Sequence, residues 1–232
     1  MKLKYLIIGI ASVLFLAFLA WLFATSSSKP KPGERFTDQG ADHLTDISGI
    51  AYNSNPPTSG SHFPVWAKRG VYDRVLSDGH LIHSLEHGYI VISYNCQVKE
   101  QAYFNLAPTA YAHEGHIHEA TDSSEASASG FLTKMKVGLT GDMSAFTPEN
   151  APEAEVELSE EFKTAECKQL VDQLATMLDN YQRVVIVPRI NLDSRIALTA
   201  WTRLEKLNNF DEAKIKTFIE AYHNQGPEKT VE

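Results

Sequence analysis

The sequence predicts an α+β domain, a mixed or antiparallel sheet with packed helices and a loop-rich head, behind one N-terminal transmembrane helix. Three observations predict it. An uncharged apolar run fills residues 5–24. Short runs of β-branched and aromatic residues occur at Gly88–Asn95, Arg183–Pro188 and Arg195–Trp201. Two later segments, from near Ser159 and from Asp211, repeat apolar residues at helical spacing. Strands and helices that do not alternate strictly give an α+β architecture.

The apolar run, YLIIGIASVLFLAFLAWLFA, holds 20 residues. At ~1.5 Å per residue it matches a bilayer core of about 30 Å. Lys2 and Lys4 precede it in the tail 1–4, and Trp21 lies near its far end, where an indole sits well among headgroups. A cleaved signal peptide is the rival reading, but Leu22 fits poorly at a small-x-small cleavage site, and no lipidation cysteine follows. An anchor at the very N-terminus followed by a long domain usually exports the domain, so the expected location is the cell membrane, single-pass, with the domain extracytoplasmic. Residues 25–35, rich in Ser, Pro and Lys, read as a linker. The globular domain then spans 36–228, and 229–232 form a tail.

Net charge is -8, and no Lys/Arg-rich run lies beyond the juxtamembrane stretch. That argues against a nucleic-acid partner, because phosphate neutralisation needs a basic patch. Cys96 and Cys167 permit one disulfide without demanding it.

Phe36 to Tyr94 is dense in Gly, Pro, His and aromatic residues, the composition of a loop-rich, site-bearing head. Residues 113–157 read as a polar insert: EATDSSEASASG at 119–130 is low-complexity, and seven acidic residues with no basic ones fall between Asp142 and Glu161. The following helix carries Phe162, Cys167, Leu170, Val171, Leu174, Leu178 and Tyr181 on one face. The last helix carries Ile215, Phe218, Ile219 and Tyr222, with Gly226-Pro227 beyond its end. Ile196, Leu198 and Ala200 alternate with Ala197, Thr199 and Trp201, and Trp201 is expected to close the core with that last helix.

Two segments carry the chemistry. In NPPTSGSH the paired prolines and a Ser-Gly turn stiffen the approach to His62. In HSLEHG, His83 and His87 lie four apart beside Glu86, next to the strongest strand. Neutral imidazole is the commonest ligand for copper and zinc, and a site needs three or four convergent donors. The expected ligands are His62, His83 and His87, with His43 as a fourth. Glu86 and Tyr72 are expected behind them as orienting groups, and Glu86 could also ligate or act as a base. His113, His116 and His118 would form a loose metal-collecting tract. Against this stands a non-catalytic structural or interaction module, in which the same histidines only satisfy backbone carbonyls.

HSLEH also matches the H-x-x-E-H pattern of helical zinc peptidases, which would make Glu86 the base of a metal-dependent hydrolase. Gly88 and a β-rich run follow at once, so a long helix cannot continue past the motif. In an extended chain, His83, Leu85 and His87 would share a face and Glu86 would point away. Ser59 lacks a nucleophile elbow and an orienting acid, so it is not read as a nucleophile.

NPPTSGSHFP, GVY, HSLEHGYIVISY, VVIVPR, IALTAWTR, FDEAKIKTFIEAY and GPE, in this order, resemble the domain-of-unknown-function family numbered 3105. The resemblance runs from about Asp42 to Glu228. It includes His43, Pro56, Pro57, Gly60, His62, Gly70, Tyr72, His83, Glu86, His87, Gly88, Ala200, Trp201 and Arg203. It departs from His113 to about Glu157. It implies mostly bacterial, membrane-anchored or exported proteins, and implies no reaction.

Residues 119–130 are short of large apolar side chains and cannot offset their ordering entropy by burial. Deleting them should leave the melting temperature of the protein unchanged within error; a drop of several degrees would mean that the segment packs.

Overall fold

In the computed structural model, residues 2–26, 30–100, 145–154 and 156–229 are described. The N-terminal unit, residues 1–32, holds helix α1 (Lys2–Ser26). It covers the apolar run and extends past it at both ends. Among the described residues no helix is long and apolar enough to cross a membrane.

The second unit, residues 33–232, is an α+β domain. In chain order it contains β1 (Glu34–Arg35), β2 (Trp66–Ala67), β3 (Gly70–Val71), α2 (Asp78–Glu86), β4 (Ile90–Tyr94), β5 (Ala145–Phe146), α3 (Ala165–Ala175), β6 (Val184–Pro188), β7 (Ile196–Ala200), β8 (Arg203–Leu207) and α4 (Glu212–Tyr222). Six strands form one sheet in the order β1-β8-β7-β4-β6-β3, and β2 pairs with β5 apart from it. The sheet is mixed: β4 and β3 run parallel to β6, whereas β4–β7, β7–β8 and β8–β1 are antiparallel.

Every residue of β4, β6 and β7 is buried, because both faces of the sheet are covered. Ile90, Ile92, Val184, Ile186, Ile196 and Leu198 face α3 and α4, whose Leu170, Leu174, Ile215, Phe218 and Ile219 complete that core. The alternate residues Val91, Val185 and Val187 face α2 and the head, meeting Leu81, Leu85, Tyr72 and Phe146. Burial of this kind stabilises at about 25 cal/mol per Å² of apolar area.

Several expectations are corrected here. Trp201 packs partly buried against the α2-side cluster with Trp66, and its indole N–H donates to Asp38 at 3.0 Å. It therefore lies on the opposite face from α4, as alternation along β7 dictates. Within the acidic stretch 142–161, Glu149, Glu153, Glu157, Glu160 and Glu161 are exposed, but Phe146 is fully buried. It stands edge-on to Tyr72 and His80, so this end of the supposed polar insert belongs to the core. Residues 119–130 lie outside the described residues.

HSLEH is helical, not extended. Ser77 caps α2, its hydroxyl accepting the Gly79 N–H, and Asp78 places a negative charge in the first turn. Leu81, Ile82 and Leu85 supply a buried apolar stripe. The helix stops at Gly88, whose φ of 79° is left-handed, and the Gly88 N–H closes on the Leu85 carbonyl at 3.0 Å. At the other end, Arg189 from the end of β6 grips the Asp78 carboxylate with two nitrogens.

Cys96, just after β4, is joined to Cys167 on α3 across 71 residues. A loop of that length implies about 4 kcal/mol of stabilisation from restricting the unfolded chain. The double substitution Cys96→Ala with Cys167→Ala should lower unfolding free energy by roughly that amount in urea titration. A loss of less than about 1 kcal/mol in unfolding free energy would show that the bond does not hold the fold.

Candidate metal centre

The site is assembled where the head meets the last turn of α2. Two extended head segments run side by side: the His62 N–H donates to the Asp42 carbonyl at 2.9 Å and the Leu44 N–H to the His62 carbonyl at 2.7 Å. This pairing sets His43 beside His62. The turn before it is held by the Gly60 N–H on the Gly40 carbonyl, at a glycine with φ of 123°. Ser59 is fully buried, and its hydroxyl accepts the Gln39 N–H, a structural role.

His83 and Glu86 come from the end of α2, and His87 is its C-terminal cap. Spaced four apart on a helix, His83 and His87 meet, with Nε2 atoms 2.9 Å apart. The rings of His43, His62 and His83 have centroids 4.6–4.9 Å from one another. Glu86 Oε2 lies 3.0 Å from His62 Nε2 and 3.4 Å from His43 Nε2. The indole of Trp66 stacks on His87 at 4.4 Å and walls one side. His62, His83, Glu86 and His87 are buried, while His43 is open to solvent.

The ring orientations are set by backbone carbonyls. His62 Nδ1 lies 2.8 Å from the Gly60 carbonyl, and His83 Nδ1 lies 2.6 Å from that of Phe63. A carbonyl only accepts, so each Nδ1 carries the hydrogen and the neutral ring turns a bare Nε2 inward. This is how metal-ligating histidines are held. Burial lowers the pKa of both rings; that of His83 falls to about 3, with His62, His87 and His43 adding to the effect. For His62 the Gly60 carbonyl and Glu86 pull the other way. A bare Nε2 of His62 aimed at a carboxylate oxygen is unfavourable unless a proton or a metal cation sits between them.

His43, His62, His83 and Glu86 each offer one ligand atom within 4.8 Å of all the others, as do His83, Glu86, His87 and Glu228. This donor group could hold a metal ion. The sequence-predicted histidines therefore converge, although His87 falls in the second group. Glu86 belongs among the candidate ligands and not behind them. Tyr72 does not support the site: its hydroxyl lies against the carbonyls of Lys68 (2.8 Å) and Phe146 (3.2 Å), in the α2-side core. His113, His116 and His118 lie outside the described residues.

Sequence reasoning missed Glu228 and Trp66. Glu228 arrives from the far end of the chain. Its N–H donates to the Glu86 carbonyl at 3.2 Å, and its carboxylate lies 3.4 Å from His87 Nε2. The GPE motif was the only signal pointing to it.

The fold and site together define an α+β domain with a largely buried imidazole–carboxylate cluster that could hold a metal ion. The chain belongs to the family described as protein of unknown function (DUF3105), whose profile matches residues 43–135 and 161–232. All four histidines of the cluster and both carboxylates lie within the match. The interruption at 136–160 is narrower than the departure expected from His113 to Glu157. No curated protein and no solved structure matches the chain.

His80, on the same helix, does not face the cluster. Its Nδ1 donates to the Val65 carbonyl at 2.6 Å, and its ring packs on Phe63 and Phe146. Burial lowers its pKa from 6.5 to about 4. The folded state thus prefers the neutral ring, and unfolding takes up a proton below pH 6.5. Stability of the metal-free protein should be whole above that value and fall as pH drops toward 4, with His83 adding to the slope. His80→Gln keeps a donor for Val65 and cannot charge, so its urea midpoint should vary less between about pH 7 and pH 4.5. An unchanged slope would remove His80 as a contributor.

Proposed function

We propose that this protein is a membrane-anchored, extracytoplasmic binder of a transition metal, copper or zinc, held by His43, His62 and His83 with the Glu86 carboxylate and with His87 adjoining. The carrying observation is the pair of inward Nε2 atoms, on His62 and His83, fixed by the Gly60 and Phe63 carbonyls around an acidic oxygen. Nitrogen and oxygen donors without sulfur suit Cu(II) and Zn(II). Open access at His43 suits a site that loads and releases its ion.

Anchoring is supported by α1. Its 25 residues would reach about 37 Å, and its large apolar side chains, Ile7, Phe15 and Trp21 among them, are exposed. An extracytoplasmic site agrees with the Cys96–Cys167 disulfide, a bond that persists in oxidising compartments.

A hydrolase using Glu86 as base is the less favoured reading. The helical HSLEH brings the motif closer to the peptidase pattern. However, Glu86 already faces His62 and His43 as a ligand would, and is not left free to handle water's proton.

Full-length protein, stripped with chelator and re-exposed to Zn(II) or Cu(II), should retain metal through gel filtration. Cu(II) should quench Trp66 fluorescence, and Trp66→Phe should remove most of that quenching. His43→Ala, at an exposed position, should weaken retention at least tenfold with an unchanged circular dichroism spectrum. Failure of the wild-type chain to retain either ion would exclude the reading.

A further inference from the structure

The two overlapping donor groups do not merge into one. His43 and His62 do not share the second group with His87 and Glu228. An ion about 2 Å from each of its ligands cannot gather all six donors. Each imidazole Nε2 has one lone pair and serves one ion, and the Nδ1 atoms of His62 and His83 are already committed to carbonyls. A carboxylate has two oxygens and can serve two ions.

We propose that the cluster is a two-metal centre in which Glu86 bridges one ion held by His43 and His62 and a second held by His83, His87 and Glu228. This rests on the metal-binding reading above and extends it, assigning His83, which belongs to both donor groups, to the second ion. Glu86 Oε2 faces His62 and His43, so Oε1 is the oxygen for the second ion. The short His83–His87 approach and the Glu228 carboxylate beside His87 belong to that second position. Bridged ions of this kind stand about 3.5–4 Å apart.

The two positions differ. The His83–His87–Glu228 position has four donors, enough to close a tetrahedral shell. The His43–His62 position has three and opens toward solvent at His43. Two carboxylates offset only part of the charge of two divalent ions. The open position would therefore take an anionic oxygen: hydroxide, or the oxygen of a phosphate or carboxylate.

The test uses the full-length chain, stripped of metal and titrated with Zn(II) and separately with Cu(II). Elemental analysis after equilibrium dialysis should give two ions per chain. Glu228→Ala, at a half-exposed side chain, should weaken one of the two at least tenfold and leave the other, with melting in the metal-free state unchanged within error. Electron paramagnetic resonance of the fully loaded Cu(II) form should show spin coupling between the two ions. Replacing His113, His116 and His118 together with Ala should still leave two ions. One ion per chain in the wild type would overturn the two-metal centre and leave the single-metal reading intact. Two uncoupled ions, or loss of one on replacing the 113–118 histidines, would also overturn it. No bound ion would overturn both readings.

Discussion

The last turn of α2 ends against the C-terminal segment. The Asn224 N–H reaches the Gly88 carbonyl at 2.9 Å, and the Glu228 N–H reaches the Glu86 carbonyl at 3.2 Å. Gly226 lies so close that a Cβ there would be 2.0 Å from the Glu86 oxygen. The carbonyls a helix leaves unpaired at its end are taken up by this strap and by Arg183, whose guanidinium donates to the His87 carbonyl at 2.6 Å. Because the helix can stop here, His83, Glu86 and His87 sit in its final turn at the edge of the head, and β4 starts three residues past His87. A bulkier residue at Gly226 would have to displace the helix end, and the ligand positions with it.

The head has the complementary task. Its carbonyls at Gly60, Phe63 and Val65 take the Nδ1 hydrogens of His62, His83 and His80. A polar helix face can therefore be buried against loops without leaving donors unpaired. The same bonds that let the head pack on α2 also aim the imidazoles, so folding and site geometry depend on one set of contacts. Where the carbonyl is matched to an apolar pocket, as for His80, the histidine is structural. Where the opposite nitrogen meets other imidazoles and a carboxylate, it is a candidate ligand.

Strands buried on both faces were legible because they need β-branched residues throughout, and β4, β6 and β7 all show this. β8, RLEKL, was not, since only Leu204 and Leu207 are buried and its charges resemble a loop's. The two-residue strands carry no period at all. α2 was obscured by its glycine and histidines, although Ser77-Asp78 and the Leu81, Ile82, Leu85 spacing were a readable start and stripe. His62, His83 and His87 were legible as a group because they lie within one stretch bounded by Pro and Gly. Glu228 was not, because its neighbours in space are more than a hundred residues away in sequence. Tyr72 was misplaced because a tyrosine near histidines in sequence looks the same whether its hydroxyl serves ligands or carbonyls.

The Cys96–Cys167 bond joins the end of β4 to α3 and so spans the connection between those two elements. Closing a loop costs an entropy that grows only slowly with its length. With the ends of this connection fixed covalently, residues can be gained or lost between them at small thermodynamic penalty. A peptide bond cut there would still leave β4 and α3 joined. Outside β5 and its buried Phe146, the length of this connection can therefore change without moving the metal-centre residues, all of which lie outside it.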